Sequence, residues 1–326
     1  MAAVLAPALA FGLSAAGIAV LARFPALAPR DRPNERSLHE GVVPRAGGWA
    51  VMGGWFVAAL VAGPPPAMSG ASFAALLAAL AALFAVSLVD DYRGVAAHWR
   101  IAVQFACAAL VAAALARDAH VGVAWAAATT LVIVAATNFY NFMDGSDGLA
   151  GAMAATGFAS LAAGAWLASA PHATLLSLAA AALPFLARNL PPARLFLGDA
   201  GSAPIGFLAA AAGVAGVAGG VWPAWFPVLV FLPFAADATV TLARRALAGE
   251  RVWEAHRSHY YQRLVRLGAG HRGTLAVYAT LMVGCGASAV ACVAGRPDAG
   301  PVALAAWSAI VALVFAAIDY HWRQRA

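Results

Sequence analysis

Lysine is absent from this chain of 326 residues, and charged residues of all kinds make up only 10% of it. A soluble globular protein carries about 25% charged residues. The mean hydropathy is +0.80, and 63% of the residues are hydrophobic. Because so few charges cannot cover a water-facing surface, the composition excludes a soluble enzyme, a disordered chain and a nucleic-acid-binding module.

The chain also lacks the strand-length alternation of apolar and polar residues that is typical of a transmembrane β-barrel. Its apolar runs are continuous and rich in alanine and leucine. Because runs of about 17–25 residues can cross a bilayer as helices, the sequence predicts an all-α, polytopic integral membrane protein with about eleven spans in one domain, residues 1–326. These spans lie near 3–22, 47–63, 71–89, 101–116, 121–137, 149–169, 172–187, 203–220, 223–242, 274–294 and 301–319.

Cysteine is scarce. Cys107, Cys285 and Cys292 lie singly inside apolar runs, with neither metal-ligand spacing nor a catalytic partner nearby. We interpret them as small residues of the protein interior.

The 20 arginines predict the orientation of the chain. All but two of them, Arg117 and Arg296, lie on one side of the predicted membrane. This side comprises the loops 23–46, 90–100, 138–148, 188–202 and 243–273 and the tail 320–326. The positive-inside rule makes it cytoplasmic, with the amino terminus outside and the carboxyl terminus inside. The first apolar stretch has its positive flank after it, so we interpret it as a retained span rather than a signal peptide.

The acidic residues follow the same partition. Of the 14, only Asp118 and Asp298 lie on the predicted outer side. A transporter with an ion pathway would place several acids at mid-span, despite a cost of about 2.5–3.5 kcal/mol each. The chain has neither such a cluster nor an internal repeat, which disfavours the alternative of a polyprenyl or anionic-solute transporter. The pattern predicts a site at the cytoplasmic surface that takes a water-soluble substrate from below and a lipid from the side.

Two of five polar segments on this side precede the middle of the chain. The first contains Arg36 and His39, which would meet phosphate, and Gly47-Gly48, which permit close backbone approach; a basic loop that only sets topology is the alternative.

The second ends an apolar span with Asp90-Asp91. Adjacent helical residues point about 100° apart, so these acids need different partners. They also oppose the helix dipole by about 0.3–1 kcal/mol each, which favours a bound cation.

The third segment, 138–149, carries two amides and two acids but no basic residue. Asn138 and Asn141 are one helical turn apart, and Asp144 and Asp147 each precede a glycine in a turn dipeptide. An EF-hand is a poor alternative because the ligand count and the closing glutamate are missing. The segment predicts a ligand-binding loop.

The last two segments favour anion binding. Asp199 lies between Gly198 and Gly201, and Ser202 is the candidate N-cap of the next span, a pattern that resembles an ion or phosphate nest at a helix start. His256 and His259 would share a face if their segment is helical. With Arg257 beside them they indicate an anion clamp rather than a metal site, since three or four local ligands are missing.

Arginines, acids and a divalent cation around phosphate groups are the equipment of phosphoryl transfer. The chain has no Walker A lysine motif and no kinase signature, which disfavours ATP hydrolysis. The sequence therefore predicts a membrane-embedded phosphotransferase that acts on a lipid.

Over nearly its whole length the chain resembles the polyprenyl-phosphate N-acetylhexosamine-1-phosphate transferases, glycosyltransferase family 4. This family includes the bacterial enzymes that initiate O-antigen and teichoic acid synthesis and phospho-N-acetylmuramoyl-pentapeptide transferase. The matching motifs are Asn-x-Arg-x-x-His with Pro-Arg-x-Gly-Gly (34–48), Asp-Asp (90–91), Asn-x-x-Asn-x-x-Asp-Gly-x-Asp-Gly-Leu (138–149), Phe-x-Gly-Asp-x-Gly-Ser (196–202) and His-x-x-His (256–259).

The resemblance implies an enzyme of the bacterial inner membrane that transfers the sugar-1-phosphate of a UDP-N-acetylhexosamine to undecaprenyl phosphate and releases UMP. It implies Mg²⁺, with Mn²⁺ as the alternative, held by Asp199 and Asp91. The implied catalytic residues are Asp90, Asp91, Asp144, Asp147 and Asp199, and the implied substrate-binding residues are Arg36, His39, Asn138, Asn141, His256, Arg257 and His259. Asp90 could also deprotonate the lipid phosphate. A phosphate monoester with a second pKa of about 6 needs little help to ionise, so positioning and charge neutralisation are expected to contribute more.

Two departures bear on the branch of the family. Ser37 stands where many members have lysine, and the run after His256 lacks consecutive histidines. Both favour the O-antigen-initiating branch and a donor carrying GlcNAc or a deoxy sugar such as FucNAc or QuiNAc. The pentapeptide transferase is the alternative enzyme. The oligomeric state stays open, a homodimer being one option.

Overall fold

The computed structural model describes residues 1–31, 38, 41–252 and 256–325, so that Arg36 and His39 lie outside the described residues. The described ranges form thirteen α-helices and one two-stranded sheet. The helices are α1 (Ala2–Arg23), α2 (Gly47–Ala62), α3 (Gly70–Arg93), α4 (Ala97–Asp118), α5 (Val123–Phe142), α6 (Leu149–Leu167), α7 (Ala173–Asn189), α8 (Asp199–Ala218), α9 (Trp225–Val230), α10 (Leu232–Leu247), α11 (Tyr260–Leu264), α12 (Gly270–Gly295) and α13 (Gly300–Arg323). The strands are β1 (Arg30–Asp31) and β2 (Val43–Pro44).

The helices coincide with the predicted apolar runs, because a backbone in lipid can satisfy its hydrogen bonds only internally. Among the described residues, eight helical segments are long and apolar enough to cross a membrane. They are α1, α3, α4, α5, α6, α8, Tyr260–Gly295 and Pro297–Arg323. The prediction of an all-α, polytopic membrane protein is confirmed.

Eight candidate spans are fewer than the eleven predicted, and the difference has two causes. Helices α2 and α7 are apolar but only 16 and 17 residues long. The predicted span 223–242 is divided into α9 and α10 at Phe231. Pro233 follows within the first turn of α10, and proline lacks the N–H that a continuous helix would need there.

Seven of the helices pack as two groups. Helices α1, α2 and α7 contact one another, while α3, α4, α5 and α8 form the second group around α8, whose membrane segment is 83% buried. Small residues allow the groups to meet, since a Cβ added to Gly48 would lie 2.3 Å from the backbone nitrogen of Gly201. The close approach predicted for Gly47-Gly48 therefore joins α2 to α8.

The two-stranded sheet lies between α1 and α2 in the chain, and hydrogen bonds join its second strand to the segment before α8. Strands β1 and β2 are antiparallel, with Arg30 opposite Pro44. Phe196 donates its N–H to the Pro44 carbonyl at 2.8 Å, and Gly47 donates to the Phe196 carbonyl at 2.8 Å. This pairing brings Arg45 beside the segment that precedes α8.

Candidate active site

The predicted polar segments converge at one end of the bundle, around a polar pocket of about 270 Å³. The end of α5, the loop after it and the start of α8 supply much of its wall. Of the residues predicted from the sequence, Asn141, Asp144, Asp147 and Asp199 line it. Arg45, Asn189, Gln262 and His271 line it as well.

Asp199 is the meeting point of four segments. Gly198 precedes it with a φ of 78°, a left-handed backbone conformation that favours glycine and turns the chain into α8. The Asp199 carboxylate accepts a hydrogen bond from Arg45, one from Arg100 at 3.2 Å and one from Asn141 at 3.1 Å. Two guanidinium groups and an amide therefore hold this carboxylate from three sides.

Asp90 and Asp91 have different partners, as their angular separation predicts. Asp90 accepts from Arg100 at 2.7 Å and from the backbone N–H of Val95 at 2.6 Å. Asp91 has a fully buried side chain and accepts from the backbone N–H groups of Asp199 and Ala200, each at 3.2 Å. Asp91 thereby caps the start of α8.

The site contains more negative than positive charge. Asp90, Asp91 and Asp199 form ion pairs with two arginines, Arg45 and Arg100. Burial alone would lower the pKa of Arg45, but the neighbouring carboxylates raise it above its usual value. Burial, with Asp199 and Asp91, raises the pKa of the Asp144 carboxyl well above its usual range, although Arg45 favours the charged form. The surplus of carboxylates favours a bound cation.

The two predicted asparagines have different surroundings. Asn141 donates to Asp199 and to the hydroxyl of Ser202, the latter at 2.8 Å. Asn138, one turn earlier on α5, donates to the buried Gln104 side chain at 2.7 Å. Asn141 therefore belongs to the carboxylate cluster, and Asn138 supports it from within the helix pair α4–α5.

Asp147 is held by the protein on two sides. One oxygen accepts the N–H of Ala193 at 2.9 Å, and the other lies 3.8 Å from the ring of His271. Gly148 next to it donates its N–H to Asn189 at 2.8 Å. Asp144 lines the pocket, and the backbone N–H of Gly198 donates to its carboxylate.

The histidine segment lies behind the loop after α5. His259 is 2% exposed, and its Nδ1 lies 3.1 Å from the buried carboxylate of Asp237 on α10. Its ring stacks on that of His256 at 4.8 Å and lies 6.0 Å from that of Phe142. Among the described residues, the lining of the polar pocket does not include His256, Arg257 or His259. A direct contact between these three residues and a ligand is therefore a prediction without support from the pocket geometry.

Sequence reasoning missed several residues of the site. Arg100 was counted only as a topological charge, although it lies ten residues after Asp90 at the start of the next helix. Asp237 accepts from His259, Tyr278 and the backbone of α11, which the sequence could not indicate because these residues are distant in the chain. His271 lies outside all of the motifs identified in the sequence.

A large apolar groove of about 600 Å³ runs beside the pocket, between α5, α8 and the α9–α10 pair. Phe139 and Tyr140 line the groove, and the next residue, Asn141, lines the pocket. The groove is bounded elsewhere by small residues such as Ala210 and Gly213 and by Val214. An apolar chain in the groove would therefore bring a polar head group to the carboxylates and arginines.

The cluster suits a hard cation only in part. No three acidic, histidine or cysteine side chains of the described residues are arranged to hold a metal ion on their own. Mg²⁺ does not require such a cage, because it usually keeps several waters and binds one or two carboxylates together with substrate phosphates. Asp199 and Asp90, whose side chains are 16% and 10% exposed, fit that pattern better than Asp91, whose side chain is fully buried.

Comparison with known proteins gives a consistent result. A profile of the family described as Glycosyl transferase family 4 matches residues 73–217. A Bacillus subtilis protein described as a probable undecaprenyl-phosphate N-acetylglucosaminyl 1-phosphate transferase is 27% identical over 76% of this chain and 72% of its own. The decaprenyl-phosphate N-acetylglucosaminephosphotransferase of Mycobacterium tuberculosis is 29% identical over 74% and 70%. The phospho-N-acetylmuramoyl-pentapeptide-transferase of a Picosynechococcus species is 40% identical, but over only 31% of this chain and 27% of its own.

Proposed function

The chain belongs to glycosyl transferase family 4, and we propose that it transfers an N-acetylhexosamine-1-phosphate from a UDP-sugar to undecaprenyl phosphate. The products are UMP and an undecaprenyl-diphosphosugar. The observation that carries the proposal is that the end of α5 borders both cavities, since Phe139 and Tyr140 line the apolar groove and Asn141 lines the polar pocket. A polyprenyl chain in the groove and a nucleotide diphosphate in the pocket would meet at Arg45, Arg100 and Asp199.

The proposed reaction forms one P–O bond and breaks another. An oxygen of the lipid phosphate attacks the β-phosphorus of the UDP-sugar, and the bond between this phosphorus and the bridging oxygen breaks to release UMP. Three phosphate groups come close together in this step. The main contributions of the protein are therefore to neutralise their negative charge and to align the attacking oxygen with the bond that breaks. Arg45 and Arg100 supply charge that is present at every physiological pH.

The remaining site residues have supporting roles in this proposal. Asn141 and Asp144 face the nucleotide, while Asn138 and Asp147 hold the helix end and the loop that carry them. Asp91 holds the start of α8, and with it Asp199. Asp90 orients Arg100 and receives a proton only if the lipid phosphate arrives protonated. The segment with His256, Arg257 and His259, together with Arg36 and His39, is assigned to the sugar and the diphosphate.

The proposed cofactor is Mg²⁺, with Mn²⁺ as the alternative, held by Asp199 with Asp90 or Asp91. When bound, the ion would neutralise phosphate oxygens and stabilise the charge of the leaving UMP. The surplus of carboxylates over arginines supports this assignment.

We further infer that the pocket faces the cytoplasm of a bacterial inner membrane and that the chain crosses it about eleven times. The arginine distribution supports this orientation. The pocket and the arginine-rich segments occur at the same helix ends, so a cytosolic UDP-sugar would reach the site without crossing the bilayer.

We propose GlcNAc or a deoxy-N-acetylhexosamine such as FucNAc or QuiNAc as the sugar, and the first lipid-linked step of a surface polysaccharide such as O-antigen as the pathway. The names of the Bacillus and Mycobacterium relatives, both N-acetylglucosamine transferases, support the first sugar. The match to the pentapeptide transferase keeps N-acetylmuramoyl-pentapeptide as the second candidate donor.

A donor panel tests these assignments. Purified protein in nanodiscs, with undecaprenyl phosphate and Mg²⁺, would receive UDP-GlcNAc, UDP-QuiNAc, UDP-FucNAc or UDP-N-acetylmuramoyl-pentapeptide in separate reactions. We expect UMP and a lipid-linked sugar in equal amounts from one of the first three donors, and neither product without the lipid. Turnover with the pentapeptide donor alone would establish the second candidate. Inactivity with all four donors would contradict the proposed function.

A further inference from the structure

His271 lies on the wall of the polar pocket, far from the motifs that the sequence singles out. It belongs to the first turn of α12, which the chain enters through Gly268 and Gly270, with φ of 100° and 61°. These left-handed conformations turn the chain so that α12 begins against the loop after α5. Its side chain is 20% exposed.

Both ring nitrogens of His271 have partners that fix the position of the proton. Nδ1 lies 2.9 Å from the hydroxyl of Ser146 and 3.3 Å from the backbone nitrogen of Asp147. Because a backbone N–H can only donate, Nδ1 must accept. Nε2 lies 3.1 Å from the carbonyl oxygen of Leu38, which can only accept, so Nε2 carries the proton. These contacts fit the tautomer in which Nε2 carries the hydrogen.

These contacts join two walls of the pocket. Ser146 and Asp147 belong to the loop that carries Asp144. Leu38 belongs to the segment between β1 and β2, and β2 leads directly to Arg45 and its ion pairs with Asp91 and Asp199. The two walls are more than 100 residues apart in the chain, and the imidazole spans the gap between them.

A second contact holds the same loop from its other end. Tyr261 on α11 donates its hydroxyl to the Phe142 carbonyl at 3.0 Å. A Cβ on Gly145 would lie 2.1 Å from that hydroxyl, so the loop fits closely against the tyrosine. The segment from α11 to the start of α12 therefore holds both ends of the Asp144 loop. Among the described residues, His271 connects this loop to Leu38.

We propose that His271 is a positioning residue that sets the width of the donor pocket. This inference rests on the proposed function. With Nδ1 the imidazole holds the Asp144 loop in the geometry required for reaction, and with Nε2 it holds Leu38 in place on the wall of the donor pocket. Since both nitrogens are occupied by the protein, the ring acts through its neighbours and does not itself transfer a proton.

Three substitutions separate the two contacts. In His271→Asn the amide oxygen can replace Nδ1, so the loop contact is kept and the Leu38 contact is lost. In His271→Gln the longer side chain can place its amide near Nε2, so the Leu38 contact is kept and the loop contact is lost. His271→Phe keeps the ring volume and loses both. His120→Asn is the matched control, because His120 is exposed at the other end of α4 and has a φ of 53°, which asparagine tolerates well.

The measurements are KM for the UDP-sugar, kcat for UMP release and the midpoint of thermal unfolding. We expect His271→Asn to raise KM about three- to tenfold with kcat nearly unchanged, because one hydrogen bond to the Leu38 segment is lost. We expect His271→Gln to lower kcat about tenfold with KM nearly unchanged, and His271→Phe to do both. The control should match the wild type, and all unfolding midpoints should stay within a few degrees of it.

Two results would overturn the inference while leaving the proposed function intact. One is unchanged KM and kcat in all three variants. The other is an equal loss of kcat in all three, with or without a lowered unfolding midpoint, since a direct contact or a purely structural role would not divide the effect between KM and kcat. Failure of the wild type to release UMP from any donor would instead overturn the proposed function, and this inference with it.

Discussion

Nη1 of Arg100 lies 2.7 Å from Oδ2 of Asp90, an ion pair that ties the start of α4 to the end of α3. The same nitrogen lies 3.2 Å from Asp199 at the start of α8. A single guanidinium group therefore connects three helices at the point where the proposed phosphates meet. Arg100 is a stronger candidate for charge neutralisation than its unremarkable sequence context indicates.

The first prediction concerns this arginine. Arg100→Gln should lower kcat for UMP release by about 100-fold or more, because a preorganised positive charge is lost next to the reacting phosphates. Arg117→Gln, at the opposite end of the same helix, is the matched control and should keep kcat within about twofold, since surface charges contribute little. Steady-state UMP assays check both. Wild-type turnover in Arg100→Gln would remove Arg100 from the site.

The second prediction separates helix capping from chemistry. Asp91 caps α8, and Asp118 accepts the N–H of Ser69 at 2.9 Å at the start of α3, at the other end of the bundle. Asp91→Asn should lower the free energy of unfolding by about 0.5–2 kcal/mol, because both of its oxygens accept backbone N–H groups and an amide has only one accepting atom. Asp118→Asn should lower it less, because its amide oxygen can still accept from Ser69. Only Asp91→Asn should abolish UMP release. Thermal unfolding and activity are measured on the same preparations, and an active Asp91→Asn protein would limit Asp91 to a structural role.

The third prediction concerns the metal. Exhaustive chelation should abolish UMP release, and added Mg²⁺ should restore it. Asp199→Asn should remain inactive at Mg²⁺ concentrations that saturate the wild type, because it removes a carboxylate that pairs with both Arg45 and Arg100. Asp298→Asn, on the predicted outer side, should behave as the wild type. Full activity after chelation would contradict the proposed cofactor, and normal activity of Asp199→Asn would contradict the assignment of its ligand.

The fourth prediction tests the apolar groove as the site of the lipid chain. Ala210→Trp would fill part of its volume of about 600 Å³ and should raise KM for undecaprenyl phosphate about tenfold, while KM for the UDP-sugar stays unchanged. Leu313→Trp on α13 is the control, because Leu313 is 70% exposed and lies outside the groove lining. A short-chain polyprenyl phosphate should be much less sensitive to Ala210→Trp. Equal effects of both variants on the lipid KM would place the chain elsewhere.

The fifth prediction concerns the contact between α2 and α8. Gly48→Ala should destabilise the protein by about 1–3 kcal/mol, because its Cβ would lie 2.3 Å from the backbone nitrogen of Gly201 and backbone atoms cannot move aside locally. Gly53→Ala, on the same helix, has open space around its Cβ and should leave stability unchanged or slightly raised. The midpoint of thermal unfolding in detergent distinguishes the two. Equal midpoints would show that α2 and α8 are less closely packed than described.

Much of the architecture could be predicted because the lipid environment limits the choices. Apolar runs in a membrane must be helical, and the confinement of acids to one set of loops brings Asp90, Asp144 and Asp199 to the same end of the bundle. The break at Phe231 was missed because the apolar run continues through it, and only Pro233 marks it. Helices α2 and α7 match the predicted runs 47–63 and 172–187 in position, and they are the shortest apolar helices among the predicted spans that stay in one piece.

The partners of the site residues could not be predicted, because they depend on how each helix is rotated about its axis. His259 illustrates this point. Its spacing from His256 predicts a shared face, but no sequence pattern tells that Asp237, 22 residues earlier on α10, lies against its ring. The same holds for His271, whose partners Leu38 and Asp147 come from distant segments.

The cap on α8 decides how an anion can be recognised here. Helix starts commonly offer free amides to phosphate groups, and the glycines around Asp199 suggest such a cradle. In this protein the amides of Asp199 and Ala200 are already engaged by the carboxylate of Asp91. Under the proposed function, recognition of the donor diphosphate would therefore fall to guanidinium groups, whose charge persists far into the alkaline range, so donor affinity should survive alkaline conditions that would discharge a lysine-based site.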